Sequence, residues 1–567
     1  MTLTTGDQST NYSVVPGFEF DEKRDLAQAP YWFLDATHSV PPWTPMFGWF
    51  WTQFCRHGMQ YGADALSLPT VRGWDWRFRE GGGYLTVYTV TDPTEISLRE
   101  ERFRQSFRPF LESYDEQWTG FKNEMLGHYA RLKQTDPDRA SNFELLALLE
   151  DTIAVTRRMW EIHMYMMYGV YTVYLLFEDL CKDLLGIDDT SADFHRLLRG
   201  YGNKVFEVDR ALWQLARDAA DADLGACISM GDAQAVISAL EESEAGRDWL
   251  ARFRGLLEED GWRLQRMAEI NLPSWVEDPT TPLQIIRQFL GSGPEFDLDR
   301  KREELAAERR EAQKAVLTRI QPADREWFSA LMSVAERAGA FSEEHNHYLD
   351  LYTHAMIRRT VLGIGRRLVA AGTIDEAEDT LFLIPDELRR VTGAPEFHRL
   401  QDLVRSRRAE WESWQQKDNP PLLGTLSLDE AVGQLVLSKD PIALKVVVGA
   451  MPKVDPEVHA DLYGVCGSPG VAEGIARVIL DESRLDEVQP GEILVAATTS
   501  PSWTSVFAFI KGVVVDRGAS LSHAAVVGRE YGIPVVMNVF EGTKKLQTGQ
   551  RIRIDGTNGH VFVIDQA

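Results

Sequence analysis

Apolar residues return every three or four positions along much of the chain. From Pro93 to about Gly393 this spacing predicts a run of amphipathic helices, among them 98–121, LREERFRQSFRPFLESYDEQWTGF. The stretch 299–320, DRKREELAAERREAQKAVLTRI, carries the same period with so many charges that it reads as a long solvated helix. AGAFSEEHNHYLDLYTHAMIRRTVLGIGRRLVAAG, 338–372, is expected to be one helix ended by Gly372. Before Pro93 the pattern differs. YWFLDATHSVPPWTPMFGWFW, 31–51, reads as a loop entering a helix near Pro45, and GGGYLTVYTV, 81–90, as a turn followed by a strand.

The character changes again past KDNPP, 417–421, a breaker cluster that reads as a linker. Short β-type runs then follow: ARVIL, EILVAA, GVVVD, IPVVMNV, RIRID and HVFVI. They are separated by QPGE, TGQ and DGTNG and interrupted by one helical stretch from Ser522 to Tyr531, the pattern of a compact α/β domain. The expected fold class is therefore α + α/β: a large mostly helical domain over 1–415, a linker over 416–460, and a small β/β/α domain over 461–567.

Length agrees, since 567 residues exceed one core. A formal net charge of −26 argues against nucleic acid, whose phosphates call for clustered Lys and Arg. The four cysteines lie far apart with no CxxC pair, so no metal site or disulfide framework is expected, and a cytoplasmic location fits. The first residues, MTLTTGDQSTNYS, lack the apolar core of a signal peptide. Met159 to Phe177 is long enough to span a bilayer, but Glu161, His163 and several tyrosines favour a buried helix. Arg72 and Arg77, flanking the tryptophans of RGWDWR, read as solvated loop charges.

The chemistry concentrates in VVVDRGASLSHAAVVGREYGIPVVMNV, 513–539. A strand runs into a turn containing Gly518, Ser522 is placed as an N-cap, and His523 sits in the first helical turn. Free backbone N–H groups and the positive helix end gather there, which favours a phosphate and biases the imidazole toward its neutral, nucleophilic form.

This segment resembles the phosphohistidine signature of the swivelling domain of phosphoenolpyruvate-utilising enzymes, a family that includes phosphoenolpyruvate synthase, pyruvate phosphate dikinase, rifampin phosphotransferase and the phenylphosphate synthases. The resemblance covers 464–563: GVCGSPGVAEGIARVI resembles the domain's opening, GEILVAATTSPSWTSVF its Thr loop, and RIRIDGTNGHVFVI its closing hairpin. It implies that His523 is the phosphorylated residue, with Thr498, Thr499, Gly518, Ser522 and Arg529 in support. Ala519 stands where the family usually has a second glycine. RRLVAAGTIDEAEDTLFLIPDEL, 366–388, resembles the acceptor domain of rifampin phosphotransferase.

No Gly-rich phosphate loop or ATP-grasp pattern is read before residue 440, and no phosphoenolpyruvate-binding barrel is expected beside the His domain. The layout is closest to the His-bearing subunit of the phenylphosphate synthases, which implies a separate ATP-grasp-type subunit that holds ATP with Mg2+ or Mn2+, and no cofactor bound permanently to this chain. The expected function is transfer of a phosphoryl group from that partner, through His523, to the hydroxyl of a small phenolic substrate. The alternatives are a subunit of a rifamycin-type antibiotic phosphotransferase and a non-catalytic phosphocarrier or regulatory protein.

For the acceptor side, SEEHNHYLDLYTH spaces Glu344, His347, Leu351 and His354 three and four apart, on one helical face. His347 is the expected general base and Glu344 its orienter. In the rifampin phosphotransferases the equivalent stretch has Arg-Glu and then Lys three residues on. Here Glu343 replaces the Arg and His347 the Lys, while Glu344 is kept, so two cations are lost. The expected acceptor pocket draws on His38, Trp43, Trp160, His163, Met167, Tyr171, Leu351 and His354. Aromatic and methionine stripes also build ordinary cores, but 16 tryptophans suit an aromatic guest.

Overall fold

The structure is a computed structural model that describes residues 18–565 except Pro294, Lys453 and Asp455. The polar N-terminal stretch that gave no signal peptide lies outside the described residues. The chain divides into two compact units, Met1–Met166 with Arg266–Leu272 and Tyr348–Ser438, and Met167–Gln265 with Pro273–His347 and Lys439–Ala567. The α + α/β class holds: helices dominate, and there are two sheets.

In the first unit a four-stranded antiparallel sheet runs in the order Val71–Arg79, Gly82–Thr89, Tyr31–Leu34 and Leu422–Gly424. The edge strand Leu422–Gly424 and the helix Leu428–Ser438 fall within the 416–460 stretch. The helix expected near Pro45 runs Pro45–Ala65 with proline in its first turn. Arg72 is an exposed charge 2.5 Å from Glu95. Arg77 is not a solvated charge: it is buried, 2.8 Å from Asp25 and 3.0 Å from Asp75. In a paired strand every second side chain faces inward, and Arg77 faces two carboxylates that need a cation. The Met159–Phe177 stretch lies inside the helix Asn142–Leu185, and no helix among the described residues is long and apolar enough to cross a membrane.

The second unit holds an eight-stranded sheet in the order Leu462–Tyr463, His560–Asp565, Arg551–Asp555, Val471–Val478, Ile493–Ala496, Gly512–Val515, Val535–Met537, Val465–Ser468. The four strands from Val471–Val478 to Val535–Met537 are parallel. In the last three of these, Ile493–Ala496, Gly512–Val515 and Val535–Met537, near-continuous apolar runs follow from burial on both faces. Alternation divides them between two cores. Leu494, Ala496, Val513, Val515, Val535 and Met537 join the helical residues Phe206, Leu212, Trp249, Leu283 and Phe289. Ile493, Val495, Val514 and Val536 face the other way, toward Leu462, Ile552, Ile554 and Val561.

The helix His523–Tyr531 connects two of the parallel strands and ends at Gly532, whose φ of 61° is the left-handed conformation of a helix C-cap. The preceding turn needs no such freedom at Ala519, which lies outside the positive-φ residues, so alanine there costs no backbone strain. Gly518 is held for space instead: a Cβ would come within 2.9 Å of Ser522 Oγ.

The helix expected over 338–372 is three pieces, Arg325–His345, a π-helical stretch Asn346–Leu351, and Tyr352–Ala370. A π turn inserts a residue, so three-and-four spacing loses its face across it. Glu344 and His347 accordingly belong to the second unit, and Leu351 and His354 to the first.

Candidate functional site

His523 is the first residue of its helix and is 8% exposed. Both ring nitrogens are held. Nδ1 lies 2.8 Å from Thr499 Oγ1 and Nε2 lies 2.9 Å from Thr504 Oγ1, while the Phe507 ring packs edge-on at 5.4 Å. Thr504 donates its one hydroxyl proton to the Pro501 carbonyl at 2.8 Å. It must therefore accept from Nε2–H, which leaves Nδ1 as acceptor of the Thr499 hydroxyl. Burial, with Arg263 adding to it, pushes the imidazole down to about 3, so the ring is neutral.

The loop before His523 is tied down residue by residue. Gly518 N–H donates to Asn538 Oδ1, and Arg529 donates to the carbonyls of Gly467 and Ser520 at 2.9 and 2.7 Å. Ser520 Oγ donates to Asp189 at 2.8 Å, and Lys445 lies 2.5 Å from the same carboxylate oxygen and also pairs with Glu178. Ser522 holds the N-cap position, but its hydroxyl donates back to Ala519 O rather than accepting from the helix. Thr498 is half-buried beside Thr499.

Glu343 of the same unit borders the ring, and further buried polar side chains lie in that unit. Glu343 Oε2 lies 3.8 Å from Nε2 of His523. That oxygen is buried and has no hydrogen-bond partner among the described residues. Burial, and then the charge of Glu530, raise the Glu343 carboxyl well above the usual range, against Arg263 and Arg529. Arg263 is buried with its guanidinium over the Trp275 ring at 4.3 Å, its Nε without a hydrogen-bond partner among the described residues. His347 Nε2 is 3.2 Å from Asp260 Oδ1, and Lys204 Nζ is 2.9 Å from the same carboxylate oxygen. The carboxylate placed on His347 is thus Asp260, not Glu344, which is half-buried. Met167 is buried, and the Tyr171 hydroxyl meets Ser342 Oγ at 2.6 Å.

The remaining expected pocket residues gather in the first unit. His38 is 2.8 Å from Asp35 and its ring lies 4.8 Å from that of Trp51. Trp51 is 5.4 Å from Trp43 and 5.1 Å from Trp160. Trp160 stacks on His163 at 5.0 Å, and His163 Nδ1 is 3.0 Å from Asp350. His354 donates to the Met267 carbonyl and meets Phe47 edge-on, while Leu351 is fully buried.

Arg263, Asp260, Glu343 and Thr504 were not singled out from sequence. Arg263 and Asp260 sit in an ordinary helix end, DGWR, with no motif spacing. Thr504 stood within the quoted Thr loop and reaches Nε2, as Thr499 reaches Nδ1. Chemically, the cluster pairs a neutral nucleophilic imidazole with a buried guanidinium, a carboxyl that burial pushes toward protonation and a carboxylate-held second imidazole. That set fits transfer of an anionic group through His523.

Residues 488–559 match the mobile domain of PEP-utilising enzymes, and residues 161–343 match the fourth domain of rifampicin phosphotransferase. The first match contains His523, Thr499 and Thr504, and the second contains Arg263, Asp260 and Glu343. A chondramide synthase of Chondromyces crocatus is 29% identical over 94% of this chain and 14% of its own length. An uncharacterized phosphotransferase of Bacillus subtilis is 29% identical over 68% of this chain and 45% of its own. Rifampicin phosphotransferase of Streptomyces sviceus is 29% identical over 54% of this chain and 34% of its own. The chain spans less than half the length of each of these relatives.

Proposed function

We propose, from the match of residues 488–559 to the mobile domain of PEP-utilising enzymes, that the chain is a phosphotransferase that carries a phosphoryl group on His523. The observation that carries this reading is the two-point fixing of a neutral, buried imidazole by Thr499 and Thr504 at a helix N-terminus. In the first half-reaction, of the dikinase type that the family resemblance implies, Nε2 gives up its proton to solvent and bonds the β-phosphorus of ATP, the nucleoside monophosphate leaves, and water takes off the terminal phosphate. The donor is assigned, as the family resemblance implies, to a separate ATP-grasp-type chain holding ATP with Mg2+ or Mn2+. The small domain moves between the two stations, which keeps water away from the charged intermediate.

In the second half-reaction the P–Nε2 bond breaks and an oxygen–phosphorus bond forms to the acceptor hydroxyl. His347 takes the hydroxyl proton. Its Nε2–H is committed to Asp260, so the lone pair stands on Nδ1. Arg263 supplies positive charge to the phosphoryl oxygens in place of the cations that rifampin phosphotransferases carry at 343 and 347. The acceptor is a small aromatic alcohol of the phenol class. The carboxylate-held base, suited to a hydroxyl of unperturbed pKa about 10, supports that choice.

The test is phosphoryl loading of the full chain. Incubation with phosphoramidate, a small histidine-phosphorylating donor, adds one acid-labile phosphoryl in intact mass, and the loaded chain passes it to phenol. His523→Ala takes up none. Equal uptake by H523A, or no uptake by the wild type, overturns the reading.

A further inference from the structure

We propose that Glu343 is the general acid of the delivery step, giving its proton to Nε2 of His523 as the P–N bond breaks. The inference rests on the phosphotransferase reading above and assigns a catalytic role where the rifampin phosphotransferases carry an arginine.

The hydrogen bonds of His523 pose the problem that Glu343 answers. Because Thr504 spends its hydroxyl proton on Pro501 O, the docked imidazole carries its proton on Nε2 and accepts at Nδ1. That is the state left after delivery, since a phosphoryl on Nε2 excludes a proton there. While Nδ1 accepts from Thr499, a phosphoryl departing from Nε2 would leave an imidazolide, a poor leaving group, unless a proton arrives as the bond breaks. The carboxyl placed to bring it is Glu343, with Oε2 3.8 Å from Nε2, buried and without a hydrogen-bond partner among the described residues. A phosphoryl group bonded to Nε2 has to occupy space that this carboxyl borders.

Electrostatics select the protonated form. An ionised carboxylate bordering the phosphoryl would repel its charge. The neutral acid instead donates a hydrogen bond. The groups facing Glu343 are Glu530, which favours its protonation, and Arg263 and Arg529, which oppose it; burial outweighs both guanidiniums. His347 is shifted the opposite way, downward, by burial against the pull of Asp260. A raised acid and a lowered base in one cluster are the acid and base of a two-proton transfer.

The step balances. The acceptor hydroxyl gives its proton to His347 and its oxygen bonds phosphorus. The P–N electron pair returns to Nε2, which takes the Glu343 proton. A proton then passes from His347 back to Glu343, and the site returns to its starting state.

The experiment uses the full chain loaded with phosphoramidate, as wild type, Glu343→Gln and Glu343→Asp, with discharge to phenol and, in parallel, to water followed by intact mass across pH 5 to 9. Loading of all three on His523 reads the phosphotransferase assignment separately. The expected result is that E343Q loads normally but discharges about 10²-fold more slowly at pH 7. Its rate should climb toward wild type as pH falls and solvent supplies the proton. E343D should recover part of the loss together with the wild-type alkaline limb, which a purely structural role would not restore. Wild-type discharge rate and pH profile in E343Q overturn the proposal, and so does an equal loss in E343D with no alkaline limb.

Discussion

Asp260 Oδ1 lies 3.2 Å from Nε2 of His347, and this buried pair joins the last residue of the helix Glu244–Asp260 to the start of the π-helical stretch. A carboxylate at a helix C-terminus meets the negative end of the dipole, and burial also works against its charge. His347, and then Lys204, overcome both and hold the Asp260 carboxyl below its ordinary value. An ionised Asp260 fixes the imidazole tautomer and raises its basicity, which burial, Arg263 and Lys204 lower.

The sign of a substitution follows. In Asp260→Asn the imidazole loses the charge that raised its pKa, so the acid limb of phosphoryl delivery moves to lower pH while the plateau falls, because a weaker base removes the hydroxyl proton. His347→Ala should lose the limb altogether and about 10²-fold in rate. Stopped discharge assays on the loaded chain across pH 5 to 9 check both. A limb unmoved in D260N would remove His347 from the mechanism.

Arg263 makes a separate prediction. Its charge lowers both His523 and His347, so Arg263→Met should raise both imidazole pKa values. If the guanidinium also meets the phosphoryl oxygens, delivery should slow by about 10²- to 10³-fold. Histidine titration by NMR gives the first quantity and phosphoryl discharge the second. Unchanged discharge with shifted titrations would confine Arg263 to tuning the ground state.

The small domain was legible because its signals are local. A short apolar β-type run bounded by turns is a strand whichever core each face meets, and the glycine and serine of the His loop stand in the order a strand-turn-helix requires. The acceptor side was less legible for two physical reasons. The π turn at Asn346–Leu351 inserts a residue that no hydrophobic period announces, and it broke the single face assumed for Glu344, His347, Leu351 and His354. The partners that matter, Asp260 for His347 and Arg263 for the ring, come from 87 and 260 residues away along the chain, and nothing local in DGWR marks them. Arg77 failed likewise: its strand neighbours suggested solvent, while its carboxylate partner Asp25 lies 52 residues away.

Thr504 tests the tautomer directly. Thr504→Val keeps the shape but removes the acceptor of Nε2–H, so the docked ring should lose its preference for the Nε2 proton. Long-range 15N–1H spectra of the histidine-labelled chain should show the His523 nitrogens of the wild type as a protonated Nε2 and a bare Nδ1, and those of T504V drawn together. Thr504→Ser should keep the wild-type pattern. Identical spectra in T504V would mean that another acceptor holds Nε2–H.

Lys445 supports the His loop through charge and backbone together. Its Nζ serves Asp189 and Glu178, its carbonyl accepts from Leu521 N–H at 3.1 Å, and Asp189 in turn holds Ser520. Burial and its two carboxylates act on Lys445 in opposite directions, and the carboxylates win, raising its pKa. Burial pushes the Glu178 carboxyl up to about 7 even with the lysine present. Lys445→Met leaves two buried carboxyls without their cation and should cost about 3–5 kcal/mol near pH 8. Glu178 binds its proton more tightly folded than unfolded, so above about pH 4.5 the folded state holds the extra proton and stability falls as pH rises through 7. Without Lys445 that pKa climbs further. The K445M deficit should therefore be large at pH 8 and shrink toward pH 5, where Glu178 is neutral in the folded chain. Urea midpoints of wild type and K445M at the two pH values measure this, and a deficit equal at both would show that Lys445 acts through packing of its stem rather than through its charge.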